Sequence, residues 1–382
     1  MRVLYFTRDY TSHDYRFLAA LAKTEHQVYY LRLEQGEHPL EDRSIPPEIE
    51  IVSWKGGNVP EIHRDGPGLL FDLKRIIRSV KPDLIHAGPL QRSAFLVALS
   101  GFRPLVSMSW GYDLLQDADR NALWRWATRY TLKHSEAMVG DCNTIRQLAI
   151  SFGMPDERFV TFPWGIDLEH FTPRTSEHSN DETFTLLSTR GWEPIYGADI
   201  IARAFTQVAQ QRPELPLRLV MLSNGSQATL LRQILTNFNA PSFQPTNVSS
   251  LNQQVYFPGQ ISYAELPSFY RSANLYVAAT HSDGTSISLL EAMACGCPVL
   301  VSDISGNQEW VTPGENGWLF PDGDAHAMAV AILRAVDERH KLPEMGLAAH
   351  RTAEQRADWK KNFPELLRAY EIANQGIEKR IT

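Results

Sequence analysis

Residues 275–303 read LYVAATHSDGTSISLLEAMACGCPVLVSD, and the fold turns on how they are taken. Two short apolar runs, LYVAA and PVLVSD, enclose a loop of small polar residues and a helical segment, the pattern of one strand, a crossover helix and a second, parallel strand. An acid, Asp283, opens the loop, and a second acid, Glu291, stands eight positions later on the helix. Two readings of that pair fit. Small residues at a helix start leave backbone N–H groups bare where the helix dipole favours an anion, so a phosphate suits the loop and Glu291 can reach hydroxyl groups attached to it. Alternatively, Ser288 and Glu291 have the S-x-x-E spacing of a capping box, which needs no ligand.

The same alternation extends in both directions. Upstream, RVLYFT, HQVYYLRL, DLIHA and PLVSMSW read as strands, with helical text such as HDYRFLAALAK and LQRSAFLVALS between them. After the polar, aperiodic stretch TPRTSEHSNDET (172–183) the pattern restarts with FTLLSTR, a helix from about Ala198 to Gln211, LRLVMLSN, a helix from about Ser226, and VYFPGQ. A chain of 382 residues usually exceeds one core. The prediction is therefore α/β, with two Rossmann-like, doubly wound domains at residues 1–170 and 184–356, joined by a linker at 171–183. The segment NAPSFQPTNVSSLNQQ (239–254) is predicted to be a surface loop. A last helix, about 357–378, is expected to pack back on the first domain. In open α/β sheets ligands bind at the carboxyl ends of strands, where the connections diverge. The 283–286 loop occupies such a place, and so does Arg190, at the end of FTLLSTR, whose planar fork of donors suits phosphate oxygens.

Composition narrows the partners. At 43% hydrophobic and 21% charged the chain is an ordinary globular protein, and its net charge of -7 and pI near 6.0 argue against nucleic acid. It opens directly on a strand-like run and holds no apolar stretch of membrane-spanning length, so a cytoplasmic protein is expected. Three cysteines, two of them (Cys295 and Cys297) in an apolar helix-to-strand turn, predict neither a disulfide nor a metal site. Two D-x-D triplets, Asp117–Asp119 and Asp322–Asp324, have carboxylates suited to Mg²⁺ or Mn²⁺. The first opens a helix and the second lies in a glycine-containing turn, so no metal is expected from either. WRWATRYTLKH places Arg125, Arg129 and Lys133 on one helical face beside Trp124 and Trp126, and LKRIIRSVK adds Lys74, Arg75, Arg78 and Lys81. Such helices can dock peripherally on an anionic membrane surface, or they can be solvated basic faces with the tryptophans turned into the core.

With Asp283 to Glu291, Arg190 and EAMACGCPV (291–299) in view, the chain resembles, over essentially its whole length, the retaining nucleotide-sugar-dependent glycosyltransferases of the GT-B fold, family-four type. VYFPGQIS, YAELPSFYRSANLYVAAT, ENGWLFPDGD and PWGIDLEHF add weaker agreement. The resemblance implies two domains facing across a cleft and a nucleotide-diphosphate-sugar donor, with no cofactor. It implies Glu291 on the ribose hydroxyls, backbone amides around Gly284, Thr285 and Ser286 on the pyrophosphate, Asp283 on the donor sugar and Arg190 on the phosphates. Gly259, in VYFPGQIS, joins that donor set. The acceptor implied is a glycan or a lipid-linked glycan.

Three departures from the family pattern stand out. A glutamate usually takes the place of Asp283, and a lysine usually follows the arginine where RGWEPIYG has Ile195 and Tyr196, so one phosphate cation is missing. Many members carry a histidine after the fourth strand of the first domain, where this chain has Trp110. His13 and His86 are the nearby alternatives at the acceptor side. Two rivals follow: a phosphorylase or epimerase on the same fold, and a non-catalytic nucleotide- or sugar-binding protein of transferase descent.

Overall fold

The computed structural model describes residues 1–35, 41–57, 65–174, 182–236 and 253–381, with side chains to residue 376. The chain divides into two compact units, Met1–Trp164 with Lys361–Thr382, and Gly165–Lys360. The division falls after Trp164, six residues before the expected boundary at 170. Phe171, beyond that point, is fully buried in the core of the second unit. Much of the expected linker (175–181) and most of the expected loop at 239–254 lie outside the described residues, although Gln253 and Gln254 already belong to a strand.

The first unit is built on seven parallel strands: β1 (Arg2–Thr7), β2 (Gln27–Arg32), β3 (Glu50–Ile51), β4 (Leu84–Ala87), β5 (Leu105–Met108), β6 (Ala137–Gly140) and β7 (Phe159–Thr161). Their order in the sheet is β3-β2-β1-β4-β5-β6-β7. The second unit holds six: β8 (Phe184–Ser188), β9 (Leu217–Leu222), β10 (Gln253–Gly259), β11 (Leu275–Ala278), β12 (Val299–Ser302) and β13 (Gly317–Phe320), in the order β10-β9-β8-β11-β12-β13. Every pairing is parallel, as apolar runs joined by helices require.

Both faces of the second sheet are covered, and the strands show it residue by residue. In β11, Leu275 and Val277 enter one core cluster while Tyr276 and Ala278 enter the other. β8 divides likewise, with Leu186 on one side and Leu187 on the other. A side-chain period of two, with every position apolar, is how a strand buried on both faces reads. The helix Ala198–Gln211 closes one face with Ile201, Phe205 and Val208.

Sheet order creates one distinctive place in each unit. In the second, β8 lies between β9 and β11, so the connections leaving β8 and β11 diverge to opposite faces. The carboxyl ends of these two strands flank the crevice where open α/β sheets receive ligands. The corresponding pair in the first unit is β1 and β4. The final helix, Trp359–Ile381, belongs mainly to the first unit, where the Tyr370 hydroxyl lies 2.9 Å from His86 Nδ1.

Candidate functional site: the carboxyl edge of β8 and β11

β8 ends at Ser188 and delivers Thr189 and Arg190 to the crevice edge. The Arg190 guanidinium donates to Asp283 Oδ2 at 2.8 Å and to Ser286 Oγ at 3.3 Å, so the end of β8 is tied directly to the loop after β11. The Tyr196 ring lies 4.2 Å from the guanidinium carbon, close enough for a cation–π contact. Burial pulls the Arg190 pKa down, but Asp283 foremost, with the nearby tyrosines, outweighs it and the pKa is raised. The Nε–H group is buried without a partner among the described residues. A buried donor left this way is one that an incoming acceptor can satisfy.

The two readings of Ser288 and Glu291 are now separable. The helix runs Ile287–Ala294 with Ser286 as its N-cap residue, and no side chain caps it. Ser288 lies inside the first turn, where its hydroxyl accepts from Tyr276 Oη at 2.8 Å and pairs with Ser286 Oγ at 3.1 Å. The capping-box reading is therefore corrected: Ser288 stands two residues past the cap position. Glu291 is 7% exposed and accepts from Tyr270 Oη at 2.8 Å. Thr189 Oγ1 lies 3.0 Å from the same hydroxyl, which leaves the threonine as donor. A chain Thr189–Tyr270–Glu291 thus joins the residue beside Arg190 to the second acid. Burial first, then the Glu291 charge, raises the Tyr270 pKa well above its usual value, so it stays a donor.

Close backbone packing holds the loop. Thr285 and Ser286 are buried, and Trp310 Nε1 donates to Thr285 Oγ1 at 3.4 Å. Gly306 opens the space behind: a Cβ there would lie 2.1 Å from the Gly284 carbonyl oxygen and 2.6 Å from that of Asp283. Gly197, at φ +59°, plays a similar part beside the carbonyl of Ala279. On the loop's near side, His281 N donates to Ile195 O at 2.9 Å, and His281 Nδ1 pairs with Asp322 Oδ1 at 2.6 Å.

Arg190, Asp283, Gly284, Thr285, Ser286 and Glu291 are thus brought to one edge. Gly259 ends β10 at the carboxyl edge of the same sheet, two strands from β8 in the sheet order, where its carbonyl accepts from Ser223 N at 2.7 Å. In the first unit His13 and Trp110 meet, with ring centroids 5.1 Å apart. His86 requires a correction. It lies within β4, fully buried against Tyr5, Phe17 and Tyr370, and burial lowers its pKa to about 3, so it is a neutral core residue. Trp126 also departs from a core placement, at 49% exposed. The three cysteines are buried and form no disulfide, and burial raises the Cys297 thiol to about 12, which leaves it unreactive. In the D-x-D triplets, Asp119 pairs with Arg125, while Asp324 caps a helix by accepting from Ala327 N at 2.9 Å. Sequence reading missed Tyr270, Thr189, Trp310 and Gly306, whose partners are 21 or more positions away.

Two parallel, doubly wound units with a guanidinium and two carboxyls at the switch point of the second define a Rossmann-like protein of the GT-B type. The chain belongs to the GT-B glycosyltransferases: the family Glycosyltransferase Family 4 matches residues 12–170 and the family Glycosyl transferases group 1 matches residues 183–338. One relative is the GDP-mannose-dependent monoacylated alpha-(1-6)-phosphatidylinositol monomannoside mannosyltransferase of Corynebacterium glutamicum, 24% identical over 82% of this chain and 81% of its own. Another is the D-inositol 3-phosphate glycosyltransferase of Pseudarthrobacter chlorophenolicus, 27% identical over 59% of this chain; the match spans about half of that relative, 53%. Among solved structures, HepE of Anabaena in complex with UDP shares the fold at a TM-score of 0.71 and 18% identity, over 100% of this chain and 99% of its own. The sucrose-phosphate synthase of Thermosynechococcus elongatus shares it at 0.75 and 18%, over 97% and 98%.

Proposed function

We propose that this chain is a cytoplasmic, retaining glycosyltransferase that moves a sugar from a nucleotide-diphosphate sugar to a hydroxyl of a glycan or lipid-linked glycan. The observation that carries the proposal is the convergence of Arg190, Asp283 and Glu291 on an uncapped helix start at the switch point of the second sheet. The donor diphosphate lies against the backbone amides of residues 284–286 and the Arg190 fork, and Glu291 holds the ribose hydroxyls. Asp283 faces the donor sugar. HepE, solved with UDP and with UDP-glucose, and the GDP-mannose-dependent relative support a nucleotide-sugar donor. The names of the relatives support an inositol- or lipid-linked acceptor.

Charge grows on the diphosphate as the glycosidic bond breaks, and a buried guanidinium with fixed amide dipoles stabilises it without reorganising. The acceptor attacks from the face the diphosphate leaves, and the departing phosphate takes the acceptor's proton. This chemistry asks no metal of the protein. Incubation with UDP-glucose and GDP-mannose, with and without an acceptor extract, tests the proposal. Release of nucleoside diphosphate, an α-linked product from the α-linked donor by NMR, and equal rates in EDTA and Mg²⁺ are expected. An inverted product, or a large loss in EDTA that metal restores, contradicts it.

A further inference from the structure

Two tyrosines lie beneath the edge of β8 and β11, and each puts a hydroxyl into an otherwise apolar core. Tyr270, on the helix Leu266–Ser272, and Tyr276, in β11, are fully buried in one cluster with Phe171, Leu289 and Val301. Their ring centroids are 5.9 Å apart. Phenylalanine would fill either place without taking a hydroxyl out of water, a loss that only a well-made hydrogen bond offsets. The partners of these hydroxyls therefore matter. Among the described residues they are Thr189, Ser288 and Glu291, all of them at the site.

Two separate lines of hydrogen bonds result. Tyr270 donates to Glu291 Oε2 at 2.8 Å and is held from behind by Thr189 at 3.0 Å, so its hydrogen has one direction to point. A glutamate has several rotamers open to it, and this bond selects one. Tyr276 donates to Ser288 Oγ at 2.8 Å, the hydroxyls of Ser288 and Ser286 pair at 3.1 Å, and Ser286 Oγ accepts from the Arg190 guanidinium at 3.3 Å. Each hydroxyl of this second line carries one hydrogen. One lies between Tyr276 and Ser288 and one between the serines, so the last has no acceptor among the described residues. Burial foremost raises the pKa of both tyrosines, which keeps them protonated donors at neutral pH.

We infer that Tyr270 and Tyr276 are positioning residues with divided duties: Tyr270 aims Glu291 at the ribose hydroxyls, and Tyr276, through Ser288 and Ser286, aims a serine hydroxyl and the Arg190 fork at the diphosphate. The inference rests on the assignment of a nucleoside diphosphate to this edge, and it names the groups that set each half of the site. The spare serine hydrogen is one more donor for a phosphate oxygen in a chain that lacks the family's usual lysine.

Calorimetric titration of the intact chain tests this through two affinity ratios. UDP or GDP, whichever the parent binds more tightly, is compared with its 2′-deoxy form to read the ribose, and with its monophosphate to read the second phosphate. In the parent each ratio should be about tenfold or more. Tyr270→Phe should cut the ribose ratio at least about threefold and leave the phosphate ratio unchanged, and Tyr276→Phe should do the reverse. Thr189→Val and Ser288→Ala, which remove the far end of each line, should repeat the two patterns and carry the test if a phenylalanine variant does not fold. Tyr370→Phe, which removes a buried hydroxyl bond to His86 in the first unit, should move neither ratio. Thermal midpoints within a few degrees of the parent show that each variant is folded. Variants that keep both ratios, or that lower both together, would overturn the inference. A ribose ratio that Glu291→Ala abolishes and Tyr270→Phe keeps would overturn it alone. A parent with no ribose ratio, or a Glu291→Ala variant that retains it, would remove the donor assignment and the inference with it.

Discussion

At Arg190 three restraints act on one guanidinium: Asp283 and Ser286 fix two of its edges, and the Tyr196 ring lies beneath it. The family's usual lysine is absent, so in the proposed mechanism this side chain would carry more of the charge that develops on a leaving diphosphate. Arg190→Lys keeps a positive charge but loses both the fork and the stacking surface. Steady-state kinetics should show turnover falling by about 10²–10³ in Arg190→Ala, nearly as far in Arg190→Lys, and by more than donor affinity falls. Near-normal turnover in both would move the phosphate site elsewhere. Arg190, Asp283 and Glu291 are legible in the sequence because polar residues closing or following apolar runs mark the edge of a parallel sheet. Tyr270 is not legible there, since its bond to Glu291 spans 21 positions and exists only once the helix has packed. His86 misleads for a related reason: its place after DLI resembles a strand end, but β4 continues through Ala87 and seals the imidazole inside.

Among the elements, the short helix Ser305–Gln308 bears on the 283–286 loop through its backbone at Gly306. It comes so close to the 283–286 loop that only a glycine fits at position 306. Gly306→Ala sets a Cβ against two backbone carbonyls, neither of which can swing aside. Overpacking of this kind costs about 1–3 kcal/mol, and relief by shifting the loop would move the amides of residues 284–286. Lower thermal stability together with weaker nucleoside-diphosphate binding is expected. Gly66→Ala, where an added Cβ meets nothing within 4 Å, serves as the control. Unchanged affinity in Gly306→Ala would show that the loop tolerates displacement. The helix Ala198–Gln211 ends where periodicity places it, because its apolar face is long and regular. β6, β7 and β13 are passed over by the sequence pattern, although β6 and β13 have the same four residues as β4, β5, β11 and β12, which it picks out.

For the whole molecule, strand order supplies what alternation along the chain cannot. The pattern of strands and helices predicts parallel sheets, but only the pairing of β8 with both β9 and β11 places the ends of β8 and β11 at the switch point, where open α/β sheets receive ligands. Long-range pairing likewise assigns residues 361–382 to the first unit, through contacts such as His86 with Tyr370 that span 284 positions. The central claim, that this edge binds the donor's nucleotide diphosphate, is tested most directly by calorimetric titration of the intact chain with UDP and GDP, beside Glu291→Ala. On that claim Glu291 accepts a charged hydrogen bond from the ribose, worth roughly 1.5–3 kcal/mol, so the variant should bind the preferred nucleotide about 10- to 100-fold more weakly while keeping its fold. A Glu291→Ala variant that binds as tightly as the parent, or a parent that binds neither nucleotide, would contradict the assignment.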